Sequence, residues 1–438
     1  MATEPDENGL FLPEGFTSRI IAVAGEEVAD TSYKWPAFPD GAACFESDDG
    51  GWIYACNSEV TYLHAPASGG VSAVRFNAEG EIVDAYAILE RSTSNCAGGP
   101  TPWGTWMSCE EPIDSRGLLW ECDPTGKTAA KAHKAMGLWR REAAAVDPVS
   151  KTVYMTEDQP DGLLYRYTPR NYPDLSDGLL EAALVDNHGA VSWKEVPDPS
   201  AQSGHTKDQV PGAARFDGGE GIWYHDDAVV FTTKGDNKLH HLNLRTQTHS
   251  VINTGKVDAE GELVLSGVDN VTIDGATGDI YVAEDGGNLE VVVISPDGSL
   301  NPFVRVSPEG HEGSEITGPC LSPDRTRLYF SSQRGPTTAT LGDILADSDS
   351  TSAQCGITYE VRGPFRAAPK APATIVRPAE GEAVSTGSSD GPPWPAIGIG
   401  LGAAGAIVGG AVALRRRAQD DRKVEHAVEP TVEQQPGA

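Results

Sequence analysis

Basic residues are scarce in this chain. Its 438 residues include 33 Lys and Arg against 64 Asp and Glu, a formal net charge of −31. Basic patches are missing, which argues against nucleic acid as a partner, because a phosphate backbone is held mainly by clustered Lys and Arg. The acidity itself is compatible with plain solubility and with adaptation to high salt. Histidine offers little either. None of the ten His falls in a two-His metal spacing, and His240 and His241 are neighbours on a strand, facing opposite sides. No Ser, His and Asp constellation is apparent, and no phosphate-cradling Gly-Lys loop. Any catalysis would therefore rest on bound metals and not on a side-chain nucleophile.

What the chain does have is repetition. Six short β-prone runs end in a polar or acidic cluster, at Trp52 to Glu59, Thr105 to Glu111, Thr152 to Asp158, Ala228 to Asn237, Asp279 to Asp285 and Thr326 to Gln333. They recur about every 45–75 residues, close to propeller-blade length. An apolar strand precedes most runs, as in Glu142 to Asp147 and Asp269 to Asp274, and a third strand follows, as in Gly70 to Phe76. Turn signals separate them, and 49 Gly and 31 Pro suit many tight turns. The pattern predicts an all-β, six-bladed β-propeller over residues 1–363. Antiparallel order puts the start of each inner strand and the end of each second strand at one mouth. Glu142 with Glu157 and Asp158, and Asp269 with Glu284 and Asp285, then converge there. So many like charges repel unless cations are bound. Asp147, Asp274 and Asp324 fall at the opposite turns and read as turn caps.

After residue 363 the composition changes. Residues 364–393, rich in Pro, Ala, Ser and Gly, read as a disordered linker. Residues 394–414 are 21 in a row without a charge, followed by Arg415, Arg416 and Arg417. Despite the small-residue content, that length predicts a C-terminal transmembrane helix, with residues 415–438 as a cytoplasmic tail. The expectation is a single-pass cell-membrane protein with its propeller extracellular. Gly398/Gly402 and Gly405/Gly409 have a helix-pairing spacing. Residues 1–15 are polar and acidic without an apolar signal segment. A late-assigned start accounts for this better than tail anchoring. Seven cysteines suit an oxidising space, with expected pairs Cys44–Cys56, Cys109–Cys122 and Cys320–Cys355. Cys96 is left alone, as an inert small residue or a metal ligand.

The loop from Asn95 through Cys96, Gly98, Gly99, Trp103 and Trp106 to Glu110 and Glu111 strongly resembles the signature of PhoX-type alkaline phosphatases. Asn57-Ser-Glu59, Met136 to Ala143, Tyr154 to Asp158, Leu164 to Pro169 and Glu315 to Gln333 also resemble that family. The resemblance runs from about Leu12 to Phe365. It implies a propeller with iron and calcium on its axis, hydrolysing phosphate monoesters of small molecules. Cys96, Glu142 and Glu315 would ligate iron, and Glu59, Glu157, Asp158, Glu284 and Asp285 would be calcium ligands. Asn95 would help hold phosphate, completing a catalytic set of Asn95, Cys96, Glu142 and Glu315. The family's phosphate-binding Arg, two residues before the last-blade Glu, is Gly313 here, and His311 is the candidate stand-in. The working unit is expected to be a monomeric propeller. Two other readings compete: a calcium-dependent lactonase or esterase, which would not need Cys96, and a non-catalytic surface-binding propeller, against which Cys96, Glu142 and Glu315 argue.

The composition shift yields a first prediction. A chain ending at Pro393 remains soluble and gives the far-ultraviolet circular dichroism of a folded β protein. Aggregation or an unfolded spectrum would move the domain boundary.

Overall fold

Runs of Val, Ile, Tyr, Phe and Thr stopped by Gly, Asp and Pro turns favour antiparallel pairing over helix. In a computed structural model, which describes residues 1–61, 68–345 and 354–367, these runs form six antiparallel sheets of four or five strands. The inner strands are Pro39–Glu46, Asn95–Pro100, Arg141–Asp147, Gly219–His225, Val268–Ile273 and Ile316–Leu321. Their hairpin partners are Trp52–Ser58, Trp106–Glu110, Thr152–Glu157, Ala228–Thr233, Ile280–Glu284 and Arg327–Ser332. Each inner strand packs on the next, and the last packs on the first. The all-β, six-bladed propeller expected from the repeat is the architecture.

The blades are wider than the three strands legible in the sequence. Fourth strands such as Ile82–Ser92 and Asp174–Val185 complete them. The ring closes through the N-terminal segment. Thr17–Val23 pairs with Ile357–Arg362 as the outer strand of the sixth blade, and Leu10–Phe11 edges the fifth. The core is divided into layers between blades, one per interface. Met107, Trp139 and Met155 fill the layer between blades two and three, and Tyr54, Phe76 and Tyr329 the layer between blades six and one. Four further layers fill the remaining interfaces. At the face away from the mouth, Asp147, Asp274 and Asp324 accept backbone N–H groups of Val149, Ala276 and Thr326, as turn caps do.

The expected cysteine pairs do not form. Register explains two of the three. Cys56 stands opposite Ala42, and Cys44 opposite Tyr54, so that pair is diagonal. Cys109 stands opposite Leu119 and Cys122 opposite Trp106, and the two side chains enter different core layers. Cys320 and Cys355 likewise sit in separate clusters, and Cys320 lies instead 3.9 Å from Cys44, sulfur to sulfur.

The start of the expected linker is docked. Phe365 packs edge-on to Phe16 at 5.1 Å, and Arg366 Nε donates to Asp279 Oδ2 at 2.7 Å. Contacts divide the chain into residues 1–380 and 381–438. The expected span at 394–414 and tail at 415–438 lie outside the described residues, as does the linker beyond residue 367. Among the described residues no helix is long and apolar enough to cross a membrane.

Small residues let the inner strands approach one another at the axis. A Cβ on Gly99 would lie 1.8 Å from the backbone oxygen of Ala144 in the next blade. Neither backbone can yield without breaking its ladder. Gly99→Ala is therefore expected to destabilise the propeller by about 3 kcal/mol in urea unfolding.

Candidate metal centre

Five inner strands carry the same irregularity near their start. The ladder breaks between Pro39 and Ala42, Asn95 and Gly98, Arg141 and Ala144, Gly219 and Ile222, and Val268 and Val271. A β-bulge re-aims a side chain out of the alternating pattern. The first residue inside each bulge is Asp40, Cys96, Glu142, Glu220 or Asp269, all buried. The second is Gly41, Ala97, Ala143, Gly221 or Asn270, small enough in four cases for the neighbouring blade to pack against it. The sixth bulge, between Thr317 and Cys320, holds Gly318 and Pro319 and no ligand. That blade contributes Glu315 from just before its inner strand.

The second strands add a further tier. The residues following their last paired positions are Glu59, Glu111, Asp158, Lys234, Asp285 and Gln333. Together the two tiers form an arc of four overlapping groups: Asp40, Glu59 and Cys96; Cys96, Glu111 and Glu142; Glu142, Glu220 and Asp269; Asp269, Asp285 and Glu315. Within each group the donor atoms lie within 4.8 Å of one another, a spacing that fits metal ions. Glu142 is completely buried, and among the described residues neither of its oxygens has a hydrogen-bond partner, nor does Asp40 Oδ1. A buried ionised carboxylate without donors is costly unless a cation or proton meets it.

The bulges are pinned from the preceding blade. Asn57 Nδ2 donates to the carbonyl oxygens of Cys96 at 3.0 Å and Ala97 at 2.8 Å, while Trp106 Nε1 donates to Asn57 Oδ1 at 2.8 Å. Thr156 Oγ1 donates to the Glu220 carbonyl and Thr232 Oγ1 to the Asp269 carbonyl, each at 2.5 Å. Gln333 Nε2 donates to Asp40 Oδ2 at 2.6 Å and Glu59 Oε2 at 2.9 Å. Three cations balance part of the arc. Arg140 pairs with Glu111 and, at 3.3 Å, with Asp158. Lys234 Nζ lies 2.9 Å from Glu220, 3.3 Å from Asp285 and 3.5 Å from Asp269. Arg334 pairs with Glu315.

Of the residues singled out in the sequence, Cys96, Glu142, Glu315, Glu59 and Asp285 come together in the arc. Asp158 stands at its rim with Arg140. Glu157 and Glu284 turn into their own blades instead. Glu157 accepts from Leu163 N and Tyr165 Oη, and Glu284 from the backbone N–H groups of Ser266, Asn288 and Glu290. They occupy the last paired position of their strands, whereas the residue one further on faces the mouth. Asn95 precedes the bulge and its amide donates to Ser108 Oγ at 2.9 Å. His311 is buried with Nδ1 2.8 Å from Ser332 Oγ, and Gly313 lies in a loop with positive φ and open space about it. Asp269, read from the sequence as a mouth carboxylate though not as a metal ligand, also joins the arc, whereas Asp40, Glu111 and Glu220 and the three cations are missing from the sequence-based site. The signal for the bulge ligands was an acid followed by a small residue at the head of an inner strand.

Burial dominates the electrostatics. It pushes the carboxyls of Asp40, Glu111, Glu142 and Glu220 and the Cys96 thiol well above their ordinary ranges, and neighbouring carboxylates push the same way. Asp269 is raised to about 8, chiefly by burial, although Lys234 opposes the shift. The arc therefore resists ionisation unless a cation meets it.

Residues 57–251 match the family model for alkaline phosphatase PhoX, which bears out over that stretch the resemblance read from the signature loop. Among solved structures, the chain is similar to Pseudomonas fluorescens PhoX in complex with vanadate, a transition state analogue. The identity is 16% and the TM-score 0.63, over 81% of this chain and 96% of that one. A gluconolactonase from Xanthomonas campestris matches at 11% identity and a TM-score of 0.44, over 83% and 98% of the two chains. No curated protein matches the chain. The family match points to a phosphatase-type hydrolase, and the acidic groups supply places where metals could bind.

A pH prediction follows for the metal-stripped protein. Groups whose folded pKa is raised hold protons that the unfolded chain releases at lower pH. Stability is then greatest below the unfolded carboxyl range near 4 and falls as pH rises toward about 8, the value for Asp269. With a chelator present, Tm should decline across that window, and added calcium should flatten the decline. A Tm that rises over the window in chelator contradicts this electrostatic account.

Proposed function

We propose that this chain, whose residues 57–251 match the PhoX alkaline phosphatase family, hydrolyses phosphate monoesters at the propeller mouth with the help of iron and calcium. One observation carries the reading. The Glu142 carboxylate is fully buried, has no hydrogen-bond partner among the described residues, and is shared by the group containing Cys96 and the group containing Asp269. The donor chemistry fits both metals. Cys96 with Glu111 and Glu142 offers a thiolate among carboxylates, which suits iron, and Asp269, Asp285 and Glu315 offer oxygen alone, which suits calcium. Such ions, when bound, would neutralise phosphoryl oxygens and activate the attacking oxygen.

The protein's own residues orient the substrate and the ligands. Gln333 fixes the Asp40 and Glu59 carboxylates, and Asn57 with Trp106 holds the Cys96 bulge rigid. Arg334 and Arg140 each keep about a third of the side chain exposed at the rim. A guanidinium can meet two phosphate oxygens at once. Arg334, beside Glu315, thus takes the part that the resemblance gives to an Arg where this chain has Gly313. Gly41, Ala97, Gly98, Ala143, Gly221 and Gly318 crowd the axis, leaving a cavity of about 20 Å³, so substrate enters and product leaves by the mouth. The reading also has the propeller displayed outside the cell on a single membrane span at 394–414. Its support is the uncharged stretch followed by Arg415, Arg416 and Arg417.

The purified chain should cleave an aryl phosphate at alkaline pH, lose activity to a strong chelator and regain it with calcium. Cys96→Ser should lose iron, measured by mass spectrometry, and about a hundredfold or more of activity while its circular dichroism is unchanged. Arg334→Ala should raise KM about tenfold, the cost of one charge-assisted hydrogen bond. If Cys96→Ser keeps both iron and activity, the phosphatase reading fails.

A further inference from the structure

Position for position, blade four breaks the pattern of its neighbours. The residue after the last paired position of the second strand is Glu59, Glu111, Asp158 and Asp285 in blades one, two, three and five, and Lys234 in blade four. This is a charge reversal at one place in a repeat whose other members are carboxylates or, in blade six, Gln333. About a third of the lysine side chain is exposed, and its charged end is turned toward carboxylates. Its ammonium lies 2.9 Å from Glu220, 3.3 Å from Asp285 and 3.5 Å from Asp269. Glu220 and Asp269 are also members, with Glu142, of a group spaced to hold a cation, and Asp269 and Asp285 belong to the next group with Glu315. The Glu142 carboxylate points into the first of these groups, fully buried and with both oxygens unpartnered.

We infer that Lys234 is a resident cation, filling with its own ammonium a place in the arc that a divalent ion would otherwise take between Glu220, Asp269 and Asp285. The inference rests on the metal-binding part of the function proposed above. It assigns one place in the arc to the chain itself. The stretch from Asp40 and Glu59 through Cys96 to Glu111 and Glu142, and the group of Asp269, Asp285 and Glu315, are left for exchangeable metal. The blade-four side carries a charge that cannot dissociate, since a tethered ammonium has no loss of translational freedom to overcome on binding. One ammonium brings a single charge where a divalent ion would bring two, and its N–H groups demand no fixed coordination geometry. This side of the mouth therefore keeps its carboxylates in place in the absence of any added ion. Lys234 is a positioning residue here, acting through Glu220 and Asp269.

Calcium bound per full-length chain, measured by equilibrium dialysis at saturating calcium, tests the inference. Lys234→Met and Lys234→Gln should each bind one more calcium than the unaltered protein, and Lys234→Arg should bind the same number. In thermal melts, calcium should raise the Tm of Lys234→Met and Lys234→Gln more than that of the unaltered chain, because their carboxylates lack a cation in chelator. Should Lys234→Met fail to fold without calcium, the count for Lys234→Gln decides. No added calcium in Lys234→Gln, with no larger Tm shift, overturns the resident-cation role. Failure of the metal reading is seen separately, as an unaltered chain that binds neither iron nor calcium.

Discussion

Convergent negative charge governs this structure. Asp40, Cys96, Glu142, Glu220 and Asp269 are each turned onto one axis by a bulge at the head of an inner strand. Nothing in the hydrophobic layers between blades requires acids there. Alternation along a regular strand would send half of such side chains into the layers. A bulge instead points one residue out of the pleat, at the cost of a broken ladder. The repeated bulge is therefore the device by which an ordinary sheet gathers acidic groups that could hold cations.

Two further features serve that device. Small residues follow the acids, because the second bulge residue meets the next blade: a Cβ on Gly41 would lie 2.5 Å from Cα of Ala97, and one on Gly221 2.5 Å from the amide nitrogen of Val271. Polar side chains one blade back then hold the bulge carbonyls, as Asn57, Thr156 and Thr232 do. Each such bond ties the orientation of a ligand to the packing of an interface. The site is rigid because the ring is closed, and the ring is closed because Thr17–Val23 completes the last blade.

Three cations offset part of this charge. Arg140, Arg334 and Lys234 each keep about a third of the side chain open. The two guanidinium groups pair with acids of the arc, and the Lys234 ammonium lies among three carboxylates of blades four and five. A site that carries its own cations can hold part of its acids in place without an added ion.

Much of this was legible along the chain. Period and turn chemistry specified six blades, since strand length and turn residues are local properties. Antiparallel order put Glu142, Asp269 and Asp285 at one mouth, the family resemblance added Glu59 and Glu315, and the signature loop marked Cys96. Asp147, Asp274 and Asp324 were recognisable as turn caps for the same local reason. The tertiary structure decided the rest. Glu157 and Glu284 differ from Asp158 and Asp285 by a single position, and only the end of the ladder determines which of the two faces the mouth. Cysteine neighbours depended on register and on which core layer each side chain enters, so Cys44 met Cys320 across 276 positions of chain and not Cys56 on the adjacent strand. Lys234 carried no signal along the chain, and only the packing of blade four on blade five puts Glu220, Asp269 and Asp285 around it. Sequence determines which groups a blade can present. Closure of the ring determines which of them share a field, because charges interact through space and the chain separates what the axis brings together.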